Sequence, residues 1–146
     1  MTNKKIGKII KLFISEENNS SRTNCNNIAL DEKGVKNDKF YDKNNQRSVL
    51  ITSLDSYQLI NKNNIAINHG ELGENLLIDC NPYSFKFGTK LTIGETILEI
   101  SQNCTICNHL SKIDKTLPKL LKNDRGIFAK VIKNGTINLN DSIYID

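Results

Sequence analysis

The stretch Phe128-Ala-Lys-Val-Ile-Lys-Asn-Gly-Thr-Ile-Asn-Leu139 carries most of the fold reading. Apolar, β-branched residues lead into Asn134-Gly135 and away from it. Asn-Gly supplies the positive φ angles that a two-residue type I′ turn requires, so a β-hairpin is expected here. A second polar turn at Asn140-Asp141 then leads to a final strand over residues 142–145.

The same signals recur outward from this point. Residues 91–93 and 96–100 bracket Gly94-Glu95, a second tight hairpin. Residues 83–87, Tyr-Ser-Phe-Lys-Phe, alternate apolar and polar as a half-buried strand does. Residues 47–52, Arg-Ser-Val-Leu-Ile-Thr, read as a buried strand, and residues 6–14 as an opening one. Short apolar runs at 65–67 and 76–78 flank a glycine-rich turn. Residues 16–27 are polar without period and read as an exposed loop. Helical spacing is confined to Leu54, Tyr57 and Ile60, behind the capping candidates Thr52 and Ser53, and to residues 117–122, where Pro118 suits a helix start. Roughly ten short strands with two or three short helices predict a mainly-β fold. The expected form is a β-barrel of mostly antiparallel strands rather than a βαβ sheet.

With 146 residues the chain reads as one domain, 1–146, able to bury a core without staples. A net charge of +4 and the lack of a lysine/arginine stripe interleaved with aromatics argue against a nucleic-acid partner. No apolar run approaches the roughly 20 residues of a membrane span. The first residues resemble a signal peptide, but Lys8 and Lys11 interrupt the apolar part and no small-residue cleavage site follows. The expectation is a cytoplasmic protein whose four cysteines, Cys25, Cys80, Cys104 and Cys107, are thiols.

Chemistry concentrates in residues 99–110, EISQNCTICNHL. A structural zinc site wants four ligands. Cys104, Cys107 and His109 make three, and a second pair is missing. A redox CxxC belongs at a helix N-terminus in a βαβ setting, which this pattern lacks. Two inert core thiols remain an alternative. The polar company of Asn103, Thr105, Asn108 and His109 favours one exposed, reactive thiol instead. In residues 69–75, His-Gly-Glu-Leu-Gly-Glu-Asn, two glycines three apart can turn backbone N–H groups onto an anion, with Glu74 and Asn75 at its edge. A plain strand connection is the alternative. Arg47 and Arg125 stand at strand entries, where each suits either a forked contact to phosphate or carboxylate or a surface ion pair.

Taken in order, these pieces resemble the MOSC domain, the module named after the C-terminal part of molybdenum cofactor sulfurases. The matching stretches are Lys33-Gly-Val-Lys-Asn-Asp-Lys, Arg47-Ser-Val-Leu-Ile, Gly70-Glu-Leu-Gly-Glu-Asn-Leu76 and Leu91-Thr-Ile-Gly-Glu-Thr-Ile-Leu-Glu-Ile100. Cys107-Asn-His-Leu110, Arg125-Gly-Ile-Phe-Ala-Lys-Val-Ile132 and Asn134-Gly-Thr-Ile-Asn-Leu-Asn-Asp141 follow, so the resemblance runs from about Lys5 to Tyr144. It implies a β-barrel of the pyruvate-kinase-like type and one working cysteine, Cys107, with Cys104 incidental. It also implies a molybdenum–pterin cofactor (molybdopterin) held through that thiol, or sulfur carried on it. The cofactor would lie against Arg47, Arg125 and the turn Gly73-Glu74-Asn75. Some relatives reduce N-hydroxylated compounds, which implies a small-molecule substrate and an electron-donor protein; a sulfur carrier would need a cysteine desulfurase. Two departures stand out: Phe40 follows Asp38-Lys39 where many relatives place a histidine after Asp-Arg, and the chain lacks a pyridoxal-phosphate sulfurase domain. A non-catalytic barrel that serves as a binding module is the rival reading.

Overall fold

The chain alternates strand-forming runs with turns, and a computed structural model describes residues 3–16, 22–104 and 108–145. In chain order its strands are β1 (Lys4–Ser15), β2 (Arg22–Cys25), β3 (Asn27–Asp31), β4 (Gly34–Val35) and β5 (Val49–Ser53), followed by helix α1 (Leu54–Lys62). Then come β6 (Leu76–Ile78), β7 (Lys90–Ile93), β8 (Thr96–Asn103), helices α2 (Asn108–Ile113) and α3 (Leu117–Leu120), β9 (Ile127–Lys133), β10 (Gly135–Asn138) and β11 (Ser142–Ile145).

Seven strands are paired in the order β11-β7-β8-β9-β5-β6-β1, and β1 pairs with β11 to close the ring. The result is a closed seven-stranded β-barrel, as the sequence predicts. Closure leaves no free edge around it. β2 hangs on β1, and β10-β3-β4 form a separate three-stranded sheet. Within the barrel β5 and β6 run parallel; the other pairings are antiparallel.

Period-two side-chain alternation divides the apolar residues between two cores. Leu76 and Ile78 point into the barrel with Ile9, Leu12, Ile51, Leu98 and Ile143. Their neighbours Leu77 and Phe13 face outward, where Tyr57 and Ile60 of α1, Leu110 of α2 and Leu117 of α3 cover them. Each such fully buried aliphatic side chain contributes about 1.5–3 kcal/mol. The helix α1 starts as expected: Ser53 caps it, its hydroxyl accepting from the Asp55 amide at 3.1 Å. Pro118 opens α3. Among the described residues no helix is long and apolar enough to cross a membrane.

Three expectations need correction. The Gly94-Glu95 hairpin forms, with Ile93 opposite Thr96. Asn134-Gly135 does not make one: β9 pairs with β8 and β5, whereas β10 crosses to β3. Neither Asn134 nor Gly135 has a positive φ. Glycine is needed at 135 for a different reason, since a Cβ there would lie 2.7 Å from the Glu95 side chain and 2.9 Å from its backbone. The segment crosses directly over the Gly94-Glu95 turn. Residues 83–87 form turns rather than a strand. The Tyr83 amide bonds the Asn81 side chain, and its hydroxyl accepts from the Ser53 amide at 2.8 Å, which ties the segment sideways to the start of α1. Finally, the supposed loop at 16–27 contains β2, in register with β1 from Leu12↔Cys25 to Ser15↔Arg22.

Candidate functional site: a cationic cavity at the Gly73 turn

The residues leading into β6 make the centre of the site. Gly70 and Gly73 both have φ of +93°, a left-handed conformation that glycine adopts without strain. The turn they form is locked from both sides. On its inner side the Tyr57 hydroxyl donates to Glu74 Oε2 at 2.6 Å and accepts from the Gly70 and Leu72 amides at 3.0 and 3.3 Å. Glu74 Oε2 also accepts from the Gly70 amide at 3.1 Å. Glu74 is fully buried, and that burial raises its pKa above the ordinary carboxylate value against the opposing pull of these hydrogen bonds. Burial likewise raises the Tyr57 pKa, helped by the Glu74 charge.

Asn75 continues the lock. Its side chain accepts from the Leu50 amide at 3.1 Å and donates to the Phe13 carbonyl at 3.1 Å and to Asp38 Oδ1 at 3.3 Å. One amide therefore joins β5, β1 and the turn after β4. Arg125 closes the other end, donating from Nε and Nη2 to the Leu72 carbonyl at 3.3 and 3.1 Å.

On the outer side of this turn lies a cavity of about 480 Å³, inside the size range of small-molecule sites. Its floor is Gly73, Asn75, Leu50, Cys104, Arg125 and Phe128; its rim is Phe40, Lys43, Asn44, Arg47 and Ser48, with Arg22 between. Arg47 leaves a short 3₁₀ turn, Asn45–Arg47, which Asn44 caps. Its guanidinium stacks 4.6 Å from the Phe128 ring centroid. Arg22 reaches in from β2 and lies 6.0 Å from the Phe40 ring. Four lining residues are cationic and, among the described residues, none is acidic. Such a lining attracts an anion, and the low-dielectric floor strengthens the attraction.

Of the residues singled out in the sequence, Arg47, Gly73, Asn75 and Arg125 meet in this cavity. Glu74 is next to them in the chain, but its side chain is on the far side of the turn and does not line it. Cys107 lies outside the described residues, as does the side chain of His109. Cys104, expected to be incidental, is buried on the cavity floor. No cluster of metal-ligating side chains occurs among the described residues. Sequence reasoning missed Arg22, Lys43 and the aromatic pair Phe40 and Phe128. Only the spacing of aromatics and arginines around residue 40 and after residue 125 could have signalled them.

The MOSC domain model matches residues 38–144, a span that includes all but Arg22 of the cavity lining. The search of curated proteins found no match. Among solved structures, the chain is similar to the YUAD protein from Bacillus subtilis, with a TM-score of 0.87 at 16% identity over 99% of this chain and 98% of that one. It is also similar to YiiM from Geobacillus stearothermophilus, with a TM-score of 0.78 at 13% identity over 97% of this chain and 75% of that one. YiiM from Escherichia coli gives a TM-score of 0.71 at 16% identity over 97% and 70%. At such identities these likenesses concern the fold; the sequence model identifies the family. The chain belongs to the MOSC domain family.

Proposed function

We propose that the cavity binds a molybdenum–pterin cofactor, that Cys107 is its thiolate ligand, and that the loaded protein reduces N-hydroxylated small molecules with electrons from a partner protein. The observation that carries this reading is the coincidence, in one family-matched cavity, of several cationic side chains and a thiol-bearing floor, with no acidic side chain among the described residues of the lining. The residues fit the group. A soft thiolate suits molybdenum. Cys107 follows three residues after Cys104, which lies on the cavity floor. Arg47, with its face on Phe128, and Arg125 offer flat, forked donors suited to a pterin and its phosphate. Gly73 brings backbone close to the ligand, and Asn75 fixes the depth of the floor. Glu74 acts at one remove, through Tyr57 and Gly70, by holding the turn. When bound, the cofactor supplies the two-electron chemistry; the protein's residues bind it, orient it and exclude water.

The competing activity is sulfur carriage as a persulfide on Cys107, fed by a cysteine desulfurase, and the rival class is a non-catalytic binding module. Metal and pterin analysis of protein made in a host that synthesises molybdenum cofactor separates the three. The expected result is close to one molybdenum and one pterin per chain, both lost in Cys107→Ser while the unfolding transition is kept. An empty wild-type protein carrying a persulfide on Cys107 would replace this reading with the carrier. Empty protein with an unmodified thiol, and function unchanged in Cys107→Ser, would leave the binding module.

A further inference from the structure

The helices cover the barrel where Phe13 of β1 and Leu77 of β6 face outward. Along β11-β7-β8-β9 the inward residues are Ile143, Ile93, Leu98 and Val131, and the residues between them face out. Tyr144, Thr92 and Ile97 stand side by side there, since Tyr144 pairs with Thr92 and Thr92 with Ile97. β9 then has one residue too many for its partner. Ile97 lies opposite Lys133 and Leu98 opposite Val131, which leaves Ile132 as the bulge. A bulge re-aims a side chain, and Ile132 is 45% and Tyr144 36% exposed. The row crosses four strands and is about 15 Å wide. Lysines surround it. Lys5 is opposite Tyr144 and Lys8 opposite Ser142, while Lys90 and Lys130 flank Glu99 from either side. Lys130 Nζ is 3.3 Å from Glu99 Oε2. Strands β1, β7, β8, β9 and β11 together hold seven lysines and one acidic residue, Glu99. The whole chain carries only +4, so the rest of it is on balance acidic and the positive charge belongs to these strands.

We infer that this wall is the docking face for a small acidic electron-carrier protein that serves the cavity. The inference rests on the reading of the cavity as a reductive site. Position supports it: Phe128 lines the cavity, and Lys130 and Ile132 follow it on β9 with their side chains outside the barrel. Alternate residues of a strand are about 6–7 Å apart, so the wall begins at the edge of the cavity. Composition supports it too. An apolar centre inside a charged, solvated rim is the anatomy of an interface, and one this small suits a brief encounter rather than a permanent subunit. The lysines select an acidic partner and speed its approach. The chemistry calls for such a carrier. Turning an N–OH group into N–H and water takes two electrons and two protons. The carrier is oxidised as it supplies the electrons, and the protons come from solvent.

The test is an amide NMR titration of the labelled full chain with a flavodoxin, an acidic single-domain electron carrier, and with basic cytochrome c as the control. The expected shifts fall on β7, β8, β9, β11 and the start of β1, with flavodoxin only. Affinity drops about tenfold or more between about 0.01 and 0.15 M salt. It drops by a similar factor in Lys90→Glu/Lys130→Glu. Lys5→Glu/Lys8→Glu serves the same purpose should three adjacent glutamates unfold that ladder. Lys112→Glu/Lys115→Glu makes an equal change of charge on the helical side and leaves binding as it was. No shift with flavodoxin overturns the docking face, as do shifts centred on the helices. An equal loss in Lys112→Glu/Lys115→Glu overturns it as well, by reducing the effect to net charge. Shifts of this wall on concentrating the chain alone would assign it to a second copy, and shifts with anionic lipid vesicles but not flavodoxin to a membrane surface. Metal and pterin content of the same preparation keeps the two proposals apart. Docking by empty protein sinks the cofactor and keeps the face; loaded protein that ignores flavodoxin does the reverse.

Discussion

The two sides of the Gly70–Gly73 turn use similar polar groups to opposite ends. On the inner side a carboxyl, a phenol and two amides are joined by bonds of 2.6 to 3.3 Å that meet at Glu74 Oε2 and the Tyr57 hydroxyl beneath α1, while Glu74 Oε1 is buried with no hydrogen-bond partner among the described residues. On the outer side the side chains of Arg22, Lys43, Arg47 and Arg125 line an open cavity, with no acidic side chain among the described residues of its lining. Several bonds meeting at one buried oxygen and one hydroxyl fix a shape. Charge arranged around a gap is suited to recognising something else. The inner side is thus scaffold and the outer side is site, although a single glycine separates them.

This contrast is broken most severely by removing the inner carboxyl. Glu74→Ala strands the Tyr57 hydroxyl in a sealed core, and a loss of about 3 kcal/mol is expected by urea unfolding. A milder change isolates the charge. Burial gives the folded chain a stronger hold on the Glu74 proton than the unfolded chain has at its ordinary value of 4.5. The stability that follows is fully present below pH 4.5 and is lost as pH rises through the elevated folded value. Glu74→Gln cannot titrate. Wild type should therefore lose stability relative to that variant as pH is raised above 4.5, and parallel pH profiles would show that folding does not raise the Glu74 pKa.

Smaller effects are expected at the dividing residue. Gly73→Ala forces an L side chain to φ of +93° but meets no hard clash, since its nearest neighbour is 3.6 Å away. The cost is about 1–2 kcal/mol, with a further loss of phosphate affinity because the methyl group stands against the Arg125 and Arg22 guanidinium groups. Unaltered phosphate binding in a folded Gly73→Ala protein would place the anion elsewhere in the cavity.

The barrel was legible because its wall alternates cleanly and because Gly94-Glu95 lies between two strands that do pair. Asn134-Gly135 has the stronger hairpin signal and yields none, since β3 and the Gly94-Glu95 turn claim β10. Local turn chemistry was overruled there by a long-range partner. β2 was hidden for another reason: Arg-Thr-Asn-Cys is polar, short and half-exposed, with its pairing to β1 the source of its strand form. With it went Arg22. Arg47, Gly73, Asn75 and Arg125 could be found as members of ordered motifs. Their convergence could not, because it depends on β5 lying between β6 and β9. Glu74 was legible as a motif residue but not as one that points inward, a distinction that rests on Tyr57, 17 residues away in the chain.

The most direct test of the scaffold-and-site division is an amide NMR titration of isotope-labelled protein with inorganic phosphate. The account predicts that the Gly73 amide and the Arg22 and Arg125 side-chain resonances shift progressively, while the Gly70 and Leu72 amides, held by Tyr57 and Glu74, stay in place. Equal movement of Gly70 and Leu72, or no movement at Gly73, would contradict it.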